Sequence, residues 1–473
     1  MNIPLVLVLT YTAGLTAFGV WIGRRVTGAS DFFVAGRSLT WPLVAGTVLA
    51  ANIGAGTTVG AGGLAYRDGI SAWWWNGSAG LGTLVLAFWV GPRLWAIASS
   101  RGHLTLGDYL EERYSGAVRG VVALLLAVGT LAILAGQLIA GAAVLEVIAG
   151  LPKWQGVAIG GVAMTLYFTA GGLLSSAWVN AVQLIVLLVG FLIAMPIAVS
   201  NVGGFAGIAA APAVPATYFD PLYSAGAFSG WTMILLLGPG FVISPGLVQK
   251  AFGAESVRAV RIGLGAAGIA QLAFSFLPVL LGMAARVHHP DLTNQNLVLP
   301  TVMMTELPLW MGALGLAAIF SAEVSTCDTI LFMLSTSLSR DVYQRFVNRA
   351  ASPDDVLRIA RIAALTGGAA GMVLAIQLST VADALRIFYS LLIATLFVPV
   401  TGGLLWPRAG SREATVAIVG GIGTLLAVYF GTDRTGWWDP GTWGLIGSAV
   451  GFFATMVLAR RAGKANSSRS LPE

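Results

Sequence analysis

Charge is scarce in this chain: Asp, Glu, Lys and Arg make up 10% of its 473 residues. Ordinary soluble domains carry about a quarter, and with 57% hydrophobic residues and a mean hydropathy of +0.83 a water-soluble fold is excluded. Cysteine is scarcer still, and the lone Cys327 excludes an intramolecular disulfide. Clustered catalytic carboxylates or histidines are missing at either membrane face, which argues against a membrane enzyme such as a lipid-linked transferase. No soluble domain of useful size interrupts the apolar segments. The longest outer connection, Asn201 to Phe228, is rich in Ala, Pro and Gly and leaves no room for an appended sensor. The opening apolar segment lacks a basic start and a small-residue cleavage site, so it reads as a retained span rather than a signal peptide.

What is present is a series of apolar runs, each long enough for the roughly 20 residues that cross a bilayer. About thirteen can be counted, near 2–23, 38–66, 70–98, 119–149, 153–171, 172–199, 229–251, 256–286, 308–339, 356–378, 380–406, 413–430 and 440–459. The chain is therefore expected to be an all-α polytopic membrane protein, one transmembrane domain over 1–473. With the amino terminus outside, 21 of the 26 Lys and Arg fall on inner segments, and only Arg67, Lys153, Arg286, Arg434 and, near a helix end, Arg386 lie outside. That asymmetry places the carboxyl-terminal tail, 460–473, in the cytoplasm of a multi-pass cell-membrane protein. The net charge of +6 is spread over many short loops and signals topology rather than nucleic-acid binding.

Beyond the extra first helix (2–23), the spans divide into a five-helix block at 38–199 and another at 229–406, followed by two helices over 413–459. Because five is odd, the second block enters from the opposite side, as in the 5+5 inverted repeats of secondary transporters. Each block opens on a segment that resists a continuous helix: "NIGAG" at 52–56 and "GPGFVISPG" at 238–246. Backbone freed at membrane depth is tolerated only where it faces protein, water or ligand. Gly54 and Gly56 beside Asn52 therefore mark a site, whereas Gly60, Gly62 and Gly63 fit close helix packing. A phosphate-cradling reading of "GAGTTVG" fails for want of a preceding strand.

Five stretches then carry a resemblance: "DFFVAGRSLTWPLVAGTVLAANIGAGTTVGAGGLAY" (31–66), "LTLGDYLEERYSG" (104–116), "TAGGLLSSAWVNAVQ" (169–183), "AAIFSAEVSTCDTILFMLSTSLSRDVYQRF" (317–346) and "FYSLLIATLFVPVTGGLLWPRA" (388–409). Together they resemble the sodium:solute symporter family, whose fold is a leucine-transporter-like core with flanking helices. The resemblance implies a sodium ion held by the carbonyls of Ala50, Ile53 and Ala322 and the hydroxyls of Ser325 and Thr326, with no organic cofactor. Positions 322, 325 and 326 share one helix face, and a hard cation takes oxygen ligands. Where many members carry an aspartate, this chain has Asn180, which puts a second sodium in doubt. It leaves proton coupling through Glu323 or Asp328 as an alternative.

Solute is expected at mid-membrane between the two broken helices, with Asn52, Thr57, Asn76, Gln137, Phe241, Ser244 and Tyr389 as candidate contacts. These side chains are polar or aromatic but uncharged. They suggest a small organic solute, an amino acid or short carboxylate ahead of a sugar, nucleobase or vitamin; a channel or sensor on the same fold is the reading from another class. Among other residues, Trp73, Trp74 and Trp75 read as an outer aromatic belt, with the lining of an outer vestibule by one of them as the alternative; His288 and His289 read as solvated loop residues, and Asp383 and Arg386 as a pair, the alternative being that Arg386 attracts an anionic substrate.

Overall fold

The computed structural model describes residues 3–23, 37–226, 229–433 and 437–469, with the side chains of 166, 167, 169–177, 328 and 460–469 outside that description. Arg434 and the Asp328 side chain, both named above, lie outside it. Among the described residues all regular structure is helical, and a single parallel bridge joins Leu39 to Ala254. Lipid offers no hydrogen bonds, so a backbone that crosses it must satisfy itself within each segment.

The first block comprises α2 (Trp41–Asn52), a π-helical turn (Gly56–Gly60) leading into α3 (Ala61–Asp68), α4 (Trp73–Val85), α5 (Gly91–Arg101), the short α6 (Leu106–Arg113), α7 (Gly116–Ala149) and α8 (Lys153–Asn201), with α1 (Ile3–Gly23) before it. After α9 (Gly204–Ala210) the second block follows as α10 (Ile234–Val242), α11 (Pro245–Phe252), α12 (Val257–Phe274), α13 (Phe276–His288), α14 (Val298–Thr305), α15 (Leu309–Thr336), α16 (Pro353–Gln377), α17 (Val381–Leu392) and α18 (Val398–Leu405). Helices α19 (Ser411–Gly431) and α20 (Pro440–Arg469) close the chain.

Eleven helices among the described residues are long and apolar enough to span a membrane, two fewer than the sequence suggests. Residues 56–101 count as one apolar helical stretch, although α3 ends at Asp68 and Gly69 turns the chain (φ 72°, ψ −144°) before α4, and 153–201 form one 49-residue helix. That helix is not straight. A Cβ on Gly141 would touch both Met164 and Phe320, whereas Gly190 faces Ala318. Residues 26 apart on α8 thus meet residues two apart on α15, although a straight helix would separate them by about 39 Å.

Corresponding helices of the two blocks pack together. In one group α2 and α4 lie against α12, and α4 against α10; in the other α7 and α8 lie against α15 and α16, with α1 on the outside of α8. This pairing of like members is what an inverted repeat produces, and the two broken helices fall at the junction of the groups. The small-residue reading of Gly62 and Gly63 holds: a Cβ at Gly62 would overlap Leu299, and one at Gly63 would overlap Gln295.

At one end of the bundle Arg119 on α7 binds Asp341 (2.6 Å), Glu111 (2.8 Å) and Asp108 (2.9 Å), tying α6 to the π-helical extension of α15. At the other end the long connection folds over the helices, with the Tyr218 hydroxyl donating to the Tyr66 carbonyl (3.1 Å) and the Trp74 indole to the Pro221 carbonyl (2.8 Å). Two expectations are corrected here. His288 and His289 are not simply solvated, since both ring systems meet the Glu306 carboxylate, at 2.7 and 3.1 Å. Arg386 pairs with Asp439 (2.8 Å) rather than with Asp383, whose carboxylate is taken by the Thr380 hydroxyl at the start of α17.

Candidate functional site

The first break follows directly from the local sequence. Helix α2 ends at Asn52, and Ile53 leaves helical geometry (φ −95°, ψ 83°), which turns its carbonyl out of the ladder. Gly54 sits where no side chain fits, because a Cβ there would collide with Thr326 Oγ1 and lie 2.6 Å from Gln137 Oε1. The freed Ala55 amide donates to Gln137 Oε1 (2.7 Å), so a glutamine from α7 caps the break. The second break lies at Ile243–Ser244, between Val242 of α10 and Pro245 of α11; Pro239 is accommodated inside α10. Proline at the first position of a helix loses nothing, since its amide would have no partner there.

Opposite the first break, α15 presents hydroxyls. Ser325 Oγ donates to the carbonyls of Ala50 (2.9 Å) and Ala322 (3.0 Å), and Thr326 Oγ1 to that of Ala51 (3.3 Å). Ala50, Ile53, Ala322 and Ser325 are all within 1% of complete burial. The structure thus brings Ala50, Ala322 and Ser325 into one cluster of oxygens and sets Thr326 beside Ala51, a carbonyl the sequence reading did not name. Neutral oxygens converging on a break are the donor set a hard monovalent cation requires. Among the described residues no group of three His, Cys, Asp or Glu side chains could hold a metal ion.

All seven candidate solute contacts line one cavity, together with Trp75, Thr329, Met333 and Phe388. About 50 Å³ of it is open to the centre of a water molecule, room for about three to five waters. Asn52 Nδ2 donates to Gln271 (2.8 Å) and Thr83 (3.2 Å), Thr57 Oγ1 to the Asn52 carbonyl (2.6 Å), and Asn76 Nδ2 to the Thr57 carbonyl (2.9 Å). Phe241 and Tyr389 stack at 5.4 Å, with Phe388 edge-on to Tyr389. Trp75 leaves the expected outer belt and turns into the cavity wall, one turn before Ala79. Gln271 was not legible from sequence, because nothing in "IAQLAF" marks it as the partner of a residue 219 positions earlier. A smaller cavity of about 40 Å³ adjoins the first through shared walls at Met333 and Phe388 and ends at Arg119 and Asp341.

Of the coupling candidates, Glu323 is fully buried; Thr58 donates to its Oε1 (3.2 Å), and its Oε2 has no hydrogen-bond partner. Asn180 is fully buried as well. Paired broken helices facing a neutral oxygen cluster, with an uncharged cavity alongside, define a secondary transporter of the leucine-transporter type. Residues 32–421 match the sodium:solute symporter family, and the chain belongs to it. It is 25% identical over 463 residues to the sodium/glucose cotransporter of Vibrio parahaemolyticus, covering 89% of this chain and 84% of that protein. The uncharacterized symporter YidK of Escherichia coli (strain K12) is 28% identical over 364 residues, 72% of this chain and 63% of its own length. A sodium-coupled sialic acid symporter in a substrate-bound outward-open state superposes with a TM-score of 0.81 at 20% identity, over 96% of this chain and 97% of that one.

Proposed function

We propose that this chain couples the downhill influx of one sodium ion to the uptake of one small organic solute by alternating access. The amino terminus would lie outside and the tail inside. The observation that carries the reading is the meeting of α2 carbonyls with the Ser325 and Thr326 hydroxyls at the wall of the cavity. Sodium there would be held by Ala50, Ile53, Ala322, Ser325 and Thr326. The solute would be met by Asn52, Thr57, Asn76, Gln137, Phe241, Ser244 and Tyr389. Its size is that of an amino acid or short carboxylate, in keeping with a cavity of a few water volumes. Asn180 supplies no charge near the ion, which favours one sodium over two.

A second reading, proton coupling, is favoured by one observation, the unpartnered Oε2 of Glu323; Asp328 is the other carboxylate on α15. Purified protein in proteoliposomes decides between them once a thermal-shift screen has supplied a solute. Uptake that requires an inward sodium gradient supports the first reading. Uptake that follows an imposed pH gradient and ignores sodium overturns it and makes the buried carboxylates the coupling residues.

A further inference from the structure

Whether the solute carries charge is written in the walls of the cavity. Among the described residues none of those lining it is ionisable at neutral pH: the polar members are Asn, Gln, Ser and Thr, and the tyrosine hydroxyl is neutral. Their hydrogen bonds also fix which atoms remain for a ligand. Gln137 spends its oxygen on the Ala55 amide, and that backbone donor fixes the orientation, so the NH₂ group is left over. Asn76 spends one N–H on the Thr57 carbonyl, leaving Oδ1 and its second N–H, whereas Asn52 spends both N–H groups on Gln271 and Thr83 and keeps only Oδ1. The hydroxyls of Ser244, Thr329 and Tyr389 carry no hydrogen bond, and Thr329 Oγ1 is fully buried in that state.

We infer that the solute is uncharged, a small polar molecule with both donors and acceptors and with one apolar face. The inference rests on the cavity being the solute site of the proposed symporter. Two carbonyl oxygens, amide donors from Gln137 and Asn76, and three hydroxyls match a ligand bearing hydroxyl or carboxamide groups. The Phe241–Tyr389 stack, with Phe388 edge-on, offers the apolar face its counterpart. A carboxylate would meet no cation here, and Asn52 Oδ1 and Asn76 Oδ1 would repel it. An unpaired buried charge is costly even after relaxation. The sodium ion does not rescue it. Of the five proposed sodium ligands only Thr326 lines the cavity, and its hydroxyl is bonded to the Ala51 carbonyl; Ala50, Ile53, Ala322 and Ser325 lie outside the lining, with Gly54 pressed between Thr326 and Gln137 without space for a methyl group.

The test uses the purified full chain and probes paired on one skeleton, a neutral group in one member and a carboxylate in the other: glucose and glucuronate, nicotinamide and nicotinate, lactamide and lactate, each titrated by thermal shift with sodium and with choline as the replacement cation. Alanine serves as the zwitterionic probe. The expected result is sodium-dependent stabilisation by a neutral member, with its acidic partner at least about tenfold weaker. Stabilisation by an acid or by alanine equal to or stronger than by every neutral probe overturns the inference, and so does stabilisation by sodium with no response to any neutral probe. Both of those results leave the symporter reading standing, because sodium still binds. If sodium itself gives no shift, the symporter reading fails and the inference falls with it.

Discussion

Replacing Ser325 with alanine removes the side-chain oxygen that lies closest to both chain segments of the cation cluster, 2.9 Å from the Ala50 carbonyl and 3.0 Å from that of Ala322. In the ion-free protein the loss is two shared neutral hydrogen bonds, about 0.5–1.5 kcal/mol, which a packed bundle tolerates. With sodium bound, the missing contact is to a full charge in a dry site. Such contacts contribute about 1.5–3 kcal/mol, equivalent to a rise in the sodium Kd of about 10- to 150-fold. The readout is stabilisation by sodium. At a concentration 100 times the wild-type Kd the ion adds about 2.7 kcal/mol to the folded state; a 100-fold weaker site leaves about 0.4 kcal/mol at the same concentration. Sodium titration of the melting temperature, with choline keeping ionic strength constant, therefore separates the two proteins by most of the effect. Should Ser325→Ala keep the wild-type sodium midpoint within about twofold while remaining folded, the hydroxyl is not a ligand, and the site must be sought elsewhere.

Other substitutions probe the surroundings. Ser325→Ala combined with Thr326→Ala should abolish sodium-driven uptake in proteoliposomes while the protein still elutes as a folded species. Gly54→Ala should eliminate sodium stabilisation, since the added methyl group overlaps Thr326 and Gln137, whereas Gly46→Ala, with nothing within 4 Å of its Cβ, should behave as wild type in the same titration. Gln137→Leu should weaken solute binding and also cost about 1–3 kcal/mol of stability, because it strands the Ala55 amide; a normal melting temperature would show that the cap is dispensable. Glu323→Gln should leave sodium-driven uptake within about twofold of wild type, as a glutamine oxygen still accepts from Thr58, and loss of uptake with intact sodium binding would instead assign Glu323 a coupling role.

Much of this architecture is legible in the sequence because lipid imposes a simple rule, a run of about 20 apolar residues per crossing. "NIGAG" and "GPGFVISPG" stand out against that rule, and the structure places breaks in both. The exact position of the second does not follow from composition: Pro239 stays within a helix and the chain opens at Ile243–Ser244, because neighbouring helices decide which freed groups find partners. The hydroxyls of Ser325 and Thr326 were singled out by the family resemblance, with which their helical spacing agrees, and the structure sets both beside α2 carbonyls. Cross-chain partners were not. Gln137 as a backbone cap, Gln271 as the partner of Asn52, Trp75 as a cavity wall and Asp439 as the partner of Arg386 all depend on which helices become neighbours, and amphipathic periodicity is silent when lipid and protein interior are equally apolar.

The segment before the first break is fastened to the segment after the second. Leu39 and Ala254 form a backbone bridge, Arg37 donates to the carbonyls of Phe252 (3.3 Å), Ala98 (3.1 Å) and His103 (2.7 Å), and the buried Lys250 ammonium holds both the carbonyl (2.7 Å) and the hydroxyl (3.1 Å) of Thr47. The two segments are thus tied to each other through backbone and side chain, whereas Ser325 and Thr326 belong to α15. In the proposed transport cycle a sodium ion shared between this pair and α15 would act as a removable rivet, and its departure would leave the pair freer to move against α15.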